Sequence, residues 1–345
     1  MTTSKSLQLP PNTSNPGSIF LKSQLCATPA KLPKDTNLTG KVAIVTGGST
    51  GLGFHACIHL LAFKLSHLII GVRSIKKGED AASILHSRFP GAKIEVWELE
   101  MSSYEAIQSF VRRVENDLTR LDIAILNAGL VKQEFGVVKS TGHEESIQVN
   151  YLSTVLLSIL ILPTLKAKSP ASTPGRLSIV GSGTALVAKF PNRHENPLLK
   201  SFDNPTTWDN NERYPSSKLL FHYFMVKFAA YIDPNDVIVN IVDPGLCKGS
   251  GLLRDVTGVV SAIYTVVKAA VGRKMELGST TYIDATVVKG AESHGCFVMD
   301  WRICPFAALV YGPDGETVGQ RLWDETMQEL AFAEPLKVLE GMKRI

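Results

Sequence analysis

The chain predicts an open α/β fold, a doubly wound, mostly parallel sheet in a single domain. Two observations carry that expectation. From residue 41 onward, short β-branched runs alternate with helix-length connections, and the first run leads straight into a glycine-rich turn. Runs apolar on both faces need cover on both sides, which parallel strands receive from their crossover helices. With 345 residues and 44% hydrophobic content, the chain is long enough to bury such a sheet.

The first strand is read in KVAIVT (41–46), followed by a helix from Leu52 to Leu65. HLIIGV (67–72) is the second strand, with a polar helix behind it through KKGEDAASILHSRF. KIEVWEL (93–99), LDIAILN (121–127), GRLSIVG (175–181) and DVIVNIVD (236–243) continue the alternation, and GCFVMD (295–300) supplies a last strand. Residues 143–162 read as a helix that starts polar and becomes apolar all round, so every side of it must be covered. Burial within the monomer is the first reading of that helix, and a homo-oligomer interface the second. Residues 1–38, rich in Ser, Thr, Pro, Asn and Lys, are expected to form a flexible extension, and deletion of residues 1–36 is expected to leave ligand binding intact. Residues 39–345 then make up the domain.

Composition narrows the function classes. The net charge of +4 comes from 36 basic and 32 acidic residues, dispersed without the concentrated basic face of a nucleic-acid binder. The 5 Cys are scattered, with no Cys-x-x-Cys, as suits reduced thiols rather than a disulfide framework or a zinc site. No secretory signal is visible, and no stretch reaches the ~20 apolar residues that span a bilayer. A cytoplasmic protein is expected. His55 and His59 stand four apart on a predicted helix, but no third ligand accompanies them, so packing is favoured and no metal is expected.

The glycine-rich turn, TGGSTGLG from Thr46 to Gly53, has the spacing Gly47-x-x-x-Gly51-x-Gly53. Glycines at a first βα turn let the backbone bend sharply and approach a pyrophosphate that faces the next helix N-terminus. Further motifs follow in order: NAG (127–129), Asn150 in VNYLST, Ser182 in IVGSGTA, YPSSK (214–218) and DPG (243–245). On these motifs, residues 40 to 300 resemble the short-chain dehydrogenase/reductase family. The resemblance implies a Rossmann fold with a cofactor site at Thr46, Gly47, Ser49, Gly51, Leu52, Gly53, Arg73, Glu100, Asn127, Tyr214, Lys218, Pro244 and Gly245. Glu100 stands where the family commonly has an aspartate toward the adenine, and its longer side chain is expected to reach the same amino group. No acid occurs between Ile69 and Gly78, where an NAD site usually places one for the ribose 2′-hydroxyl. Arg73, Lys76 and Lys77 stand there instead. A basic group can pair with a 2′-phosphate, so NADP(H) is favoured over NAD(H).

Tyr-x-x-x-Lys occurs three times, at Tyr214/Lys218, Tyr223/Lys227 and Tyr264/Lys268. The spacing alone does not choose among them. In the resembling family the pair lies on the helix after the fifth strand, which selects Tyr214 and Lys218. Tyr223 lies nine residues on, and at ~100° per residue it faces the opposite side. Tyr264 falls in an insertion after the sixth strand. The resemblance implies that Tyr214 exchanges a proton with the substrate oxygen while Lys218 stabilises its phenolate and holds the ribose. A free tyrosine titrates near pH ~10, so a neighbouring ammonium is needed for exchange near neutrality. Ser182 is implied as the hydrogen-bond donor to the substrate oxygen, and Asn150 as the holder of a water in a proton relay.

Two insertions, 186–212 and 247–290, are expected on the substrate side. The first is polar, with apolar anchors at Phe190, Leu198, Leu199, Phe202 and Trp208. In the second, Val256, Val259, Val260, Ile263, Val266, Val267 and Ala270 follow helical spacing. A lid over an apolar substrate is the first reading, and weak contact with a membrane surface the second. The longer chain, with ESHGCFVMD near its end, resembles the retinol-dehydrogenase-like branch and fungal enzymes of secondary metabolism. That likeness implies a small-molecule substrate that is hydrophobic and fairly large, with a carbonyl or alcohol group. A redox-sensing dinucleotide binder without turnover is the alternative, and the joint presence of Ser182, Tyr214 and Lys218 argues against it. An epimerase or dehydratase of the extended branch is a third reading, though its glycine spacing normally differs.

Overall fold

The computed structural model describes residues 4–170, 172–249 and 268–343. One eight-stranded sheet has the order β3 (Lys93–Glu98), β2 (His67–Val72), β1 (Val42–Thr46), β4 (Ile123–Leu126), β5 (Gly175–Val180), β6 (Val237–Asp243), β7 (Cys296–Met299), β8 (Arg302–Cys304). Strands β1 to β7 are parallel, in registers such as Ala43 beside Leu68 and Leu177 beside Val239. All seven expected strands are present. The eighth is an addition, running antiparallel to β7. Its hairpin was not legible because Asp300 and Trp301 both take left-handed φ values, 54° and 60°, where a two-residue turn is usually signalled by Asn or Gly.

The helices are α1 (Lys5–Gln8), α2 (Pro16–Leu21), α3 (Gly51–Ala62), α4 (Ile75–Arg88), α5 (Tyr104–Asp117) and α6 (Ser153–Lys168). They continue with α7 (Leu198–Ser201), α8 (Asn210–Phe228), α9 (Met275–Ile283), α10 (Gly312–Glu329) and α11 (Pro335–Met342). Alternation along each strand divides the core in two. Ala43, Val45, Leu68 and Ile70 pack with Leu60, Leu85 and Tyr282 on one face. Ile44, Ile69, Leu126 and Leu177 pack with Phe110, Leu157 and Phe221 on the other. The strand order reverses between β1 and β4, and a crevice opens at their carboxyl ends, the place where such sheets bind ligands.

The apolar helix expected over 143–162 is a π-helical turn, Ile147–Leu152, running into α6. By length and composition, Ile147–Lys168 could cross a membrane, but 89% of its most apolar window is buried inside the chain. Helices α5 and α11 cover it, so the monomer meets the need for cover without a second copy.

Two expectations are corrected. The N-terminal segment is not a loose extension. Ser6 Oγ accepts the Phe297 amide at 2.9 Å and the Tyr311 hydroxyl donates to the Ser6 carbonyl at 2.8 Å, so α1 is fastened over β7 and β8. Ile19 and Ser23 are buried as well. Its polar composition hid this, because the attachment uses serine hydroxyls and main chain rather than an apolar run.

The body of the first insertion is likewise not at the catalytic side of α8. Glu212 Oε1 accepts the amides of Lys189 and Phe190 at 2.7 and 3.0 Å, and the Phe190 ring packs on Tyr223 with centroids 6.1 Å apart. Both Glu212 and Tyr223 lie about half a turn from Tyr214 around the helix. Glu325 of α10 then accepts the Leu198 and Leu199 amides, each at 2.7 Å. The anchors Phe190, Leu198, Leu199 and Phe202 are buried as expected of anchors, but in the seam between α8 and α10. In the second insertion, α9 packs on α3 as the crossover from β6 to β7. The apolar stretch read as a lid, and Tyr264, lie outside the described residues except at its end.

Candidate active site

The crevice is built first by main chain. Gly47 follows β1 with φ of 65° and donates its amide to the Gly71 carbonyl at 2.7 Å. A β-carbon on Gly53 would stand 2.5 Å from the Gly47 carbonyl oxygen and 2.6 Å from Asn127 Nδ2. Only glycine fits there. The turn thus closes tightly, with Ser49, Gly51 and Leu52 leading into the N-terminus of α3, and leaves a cradle of the kind that admits a pyrophosphate. Gly51 is also left-handed, with φ of 59°.

Asn127, at the end of β4, holds this turn from the other side of the crevice. Its Nδ2 donates to the carbonyls of Thr46 and Gly47 at 3.0 and 3.3 Å, and the Ala128 amide donates to Thr46 Oγ1 at 3.0 Å. Asn127 Oδ1 accepts the Tyr282 hydroxyl at 3.2 Å. Tyr282 was not anticipated. It lies in a stretch without motif or periodicity, and only the fold brings it beneath the crevice.

Arg73 extends from the end of β2 with its side chain 71% exposed, and its Nε stands 3.8 Å from Glu100 Oε2. An exposed pair at that distance holds little energy, so the guanidinium remains available to an anion. Glu100 also accepts the Ser102 amide at 2.9 Å. The two side chains assigned to the adenosine end of a cofactor therefore adjoin each other.

At the opposite end stands α8. Tyr214 and Lys218 share one face, and the Lys218 ammonium lies 5.8 Å from the centre of the Tyr214 ring. Lys218 is buried and donates to the Val180 carbonyl at 2.8 Å. Burial lowers its pKa to about 8, against the opposing charge of Asp243. Ser182 follows β5 directly, and its Oγ accepts from the Thr184 amide at 3.2 Å and the Thr184 hydroxyl at 2.9 Å. The turn it begins packs on α8. Its hydroxyl hydrogen is left to point elsewhere.

Asn150 lies in the π-helical turn, a departure from α-geometry often found at functional sites. Its carboxamide pairs with the main chain of Leu130, accepting the amide at 2.8 Å and donating to the carbonyl at 2.9 Å. It also donates to Ser217 Oγ at 3.0 Å, and Ser217 donates to the Tyr214 carbonyl at 2.8 Å. Asn150 is therefore linked to the helix that carries Tyr214.

Asp243 opens the motif of which Pro244 and Gly245 form the turn. It is buried, accepts the Gly183 amide at 2.8 Å, and has its pKa raised by that burial. The carboxylate thus joins the end of β6 to the turn after Ser182. The assigned residues on loops thus follow the carboxyl ends of β1 to β6, while Asn150, Tyr214 and Lys218 are carried on helices. The Tyr223 hydroxyl donates to the Leu309 carbonyl at 2.6 Å, and Lys227 bonds Gln320. His59 Nε2 is 2.9 Å from the Glu276 carbonyl, a packing contact between α3 and α9.

Comparisons with known proteins bear on the family and the fold. Residues 41–192 match the short chain dehydrogenase family. The chain is 54% identical over 324 residues to the short chain dehydrogenase/reductase mfmJ of Annulohypoxylon moriforme, covering 94% of each. It is 43% identical over 318 residues to the short chain dehydrogenase virL of Hypocrea virens, covering 92% of each. Among solved structures, L-sorbose reductase of Gluconobacter frateurii, complexed with NADPH and L-sorbose, superposes with a TM-score of 0.57 at 18% identity, covering 77% of this chain and 97% of that one. The Pseudomonas aeruginosa RhlG/NADP complex gives 0.57 at 21% identity, covering 82% and 100%. These two show a shared fold.

Proposed function

The chain belongs to the short-chain dehydrogenase/reductase family, and on that premise we propose that it is an NADP(H)-dependent oxidoreductase acting on the carbonyl or alcohol group of an apolar substrate. The observation that carries this reading is that Tyr214 and Lys218 stand one turn apart on α8, with Lys218 bonded to the Val180 carbonyl at the end of β5 and the helix packed on the turn that Ser182 begins. The tight turn at Gly47 and Gly53 fits a dinucleotide, and Arg73 fits the 2′-phosphate that distinguishes NADP(H). When bound, that cofactor would supply or accept the hydride.

The chain's own residues manage the proton. Tyr214 gives a proton to the substrate oxygen in reduction and takes it back in oxidation. The Lys218 ammonium lowers the cost of the phenolate, and with a pKa of about 8 it is mostly charged at neutral pH. Ser182 hydrogen-bonds the substrate oxygen and stabilises charge as it develops there. Asn150 holds the Leu130 segment and Ser217, and through them the start of α8, in addition to the water-holding role the family suggests. The relatives named above come from fungi, which supports a role in secondary metabolism, and the cytoplasm is the setting carried over from the sequence. Following NADPH oxidation by absorbance against a panel of apolar ketones, aldehydes and quinones tests the reading. NADPH binding without turnover on any of them, in either direction, would favour the redox-sensing alternative.

A further inference from the structure

The N-terminal segment reaches the active-site edge at a second place, beyond its attachment to β7 and β8. Ser23 is buried, and its hydroxyl donates to Asp300 Oδ1 at 2.8 Å while its carbonyl accepts Arg273 Nη2 at 2.8 Å. Arg273 is itself buried, pairs with Asp300, and stacks its guanidinium 4.9 Å from the centre of the Trp301 ring. Its Nη1 donates to the Pro244 carbonyl at 3.1 Å. Gln24 completes the set. Its carboxamide, oriented to satisfy both partners, donates to the Leu246 carbonyl at 3.2 Å and accepts the Leu246 amide at 3.0 Å.

These groups crowd the Pro244–Gly245 turn from outside. A β-carbon at Gly245 would lie 2.6 Å from Arg273 Nη1 and 2.9 Å from the Gln24 carboxamide. The turn has a left-handed φ of 74° at Gly245, a conformation with many alternatives unless neighbours exclude them. Asp300 and Trp301, both left-handed and neither glycine, are held in place by the same contacts. Helix α2, just ahead of Ser23, packs on the turn that follows Ser182, with Ile19 buried in the cluster that holds Ala185.

We propose that residues 16–26 are a positioning element of the active site: Ser23, acting through Arg273 and Asp300, and Gln24, bonded to Leu246, fix the Pro244–Gly245 turn, which the resemblance to the family places beside the nicotinamide of the cofactor. The inference rests on the NADP(H) reading given above. Ser23 and Gln24 touch neither cofactor nor substrate. They act by removing alternative conformations of the turn, so that less ordering is left for the moment of binding.

The contact is local, which makes it separable from cofactor binding in general. Titration calorimetry on the full chain compares two probes, NADPH and its adenosine-end fragment 2′,5′-ADP, in the wild type, Gln24→Ala and Ser23→Ala/Gln24→Ala. Each lost hydrogen bond bears on the turn and not on the glycine cradle. NADPH affinity should fall about three- to tenfold in Gln24→Ala and further in the double variant, while 2′,5′-ADP binds as before. Unchanged NADPH affinity in both variants overturns the inference. So does a parallel loss for both probes, which would mark the segment as a support for the whole domain. A wild type that binds neither probe removes the NADP(H) reading itself, and the inference falls with it.

Discussion

Helix α8 carries two Tyr-x-x-x-Lys pairs, and the molecule treats its two faces differently. On the face toward the crevice, Tyr214 is half-buried and Lys218 is fully buried beside Asp243, bonded to the end of β5. On the far face, Tyr223 is buried under Phe190 with its hydroxyl given to Leu309, and Lys227 bonds Gln320 at the surface. Burial raises the Tyr223 pKa well away from the neutral range, with Asp314 adding to the effect. Residue type and spacing are identical in the two pairs. What separates them is their surroundings: the end of β5 and the turn that Ser182 begins on one side, a packed seam on the other.

The comparison breaks most sharply on turnover. Tyr214→Phe removes the transferable proton and keeps the ring, so folding and NADPH affinity should survive while kcat falls by ~10²–10⁴, the usual contribution of a positioned general acid. Lys218→Met should lower both kcat and NADPH affinity, since in the proposed mechanism the ammonium serves the phenolate and the ribose. Tyr223→Phe should leave kcat within a factor of ~2. Steady-state kinetics on these three variants decides the matter, and near-normal turnover in Tyr214→Phe with loss in Tyr223→Phe would reverse the assignment.

The two faces were also unequally legible. The crevice side could be read because its parts are fixed in identity by geometry. Gly53 can only be glycine, Asn127 must span two carbonyls, and a Tyr-Lys pair must share one helical face. The far side uses contacts with no such constraint. Glu212 and Glu325 cap loops there by accepting main-chain amides, and the N-terminal segment, including Ser23 on the crevice side, is likewise attached by single serine hydroxyls. Glutamates and serines with those partners look, in sequence, like any solvated residue. The hairpin turn at Asp300 and Trp301 was hidden for the same reason, since distant contacts and not local preference hold it.

A smaller effect sharpens the crevice side at its adenosine end. Arg73→Asp should weaken NADPH binding ten- to a hundredfold, about 1.5–3 kcal/mol for a charge-assisted contact to phosphate, and leave NADH nearly unchanged. Glu100 stands 3.8 Å from Arg73, so the variant also places two carboxylates together and should sit toward the larger loss. Fluorescence titration with both nucleotides checks this, and a wild type that already prefers NADH would refute the cofactor assignment.

The far side has its own pH dependence. His143 bridges Asp203 of the insertion at 3.1 Å and Glu329 at the end of α10 at 3.2 Å. Burial opposes its charge, but hydrogen bonds to the two carboxylates prevail and raise its pKa to about 9. Lys200, 3.4 Å from Asp203, and the Tyr104 hydroxyl, 3.1 Å from Glu329, share those partners. A raised pKa means that the stabilisation is complete below the unfolded value near ~6.5 and is lost as pH rises through about 9. Thermal melts of the wild type and His143→Gln should therefore differ most near pH ~6 and converge above pH ~9. Parallel curves across that range would show that His143 is not the group responsible.

The smallest effect returns to Tyr223. Its hydroxyl meets the Leu309 carbonyl at 2.6 Å inside the seam formed by Phe190, α8 and α10. Tyr223→Phe removes the donor and leaves that carbonyl partly buried. The ring and its packing remain, so the loss should be that of one hydrogen bond with an acceptor left wanting, about 1–2 kcal/mol. Urea unfolding should show a lower midpoint with an unchanged slope, because no surface is newly exposed in either state. If stability instead matches the wild type, the Leu309 bond contributes nothing net and the far pair is held by packing alone. If kcat falls along with stability, the far face reaches the chemistry after all, and the separation of the two faces of α8 is wrong.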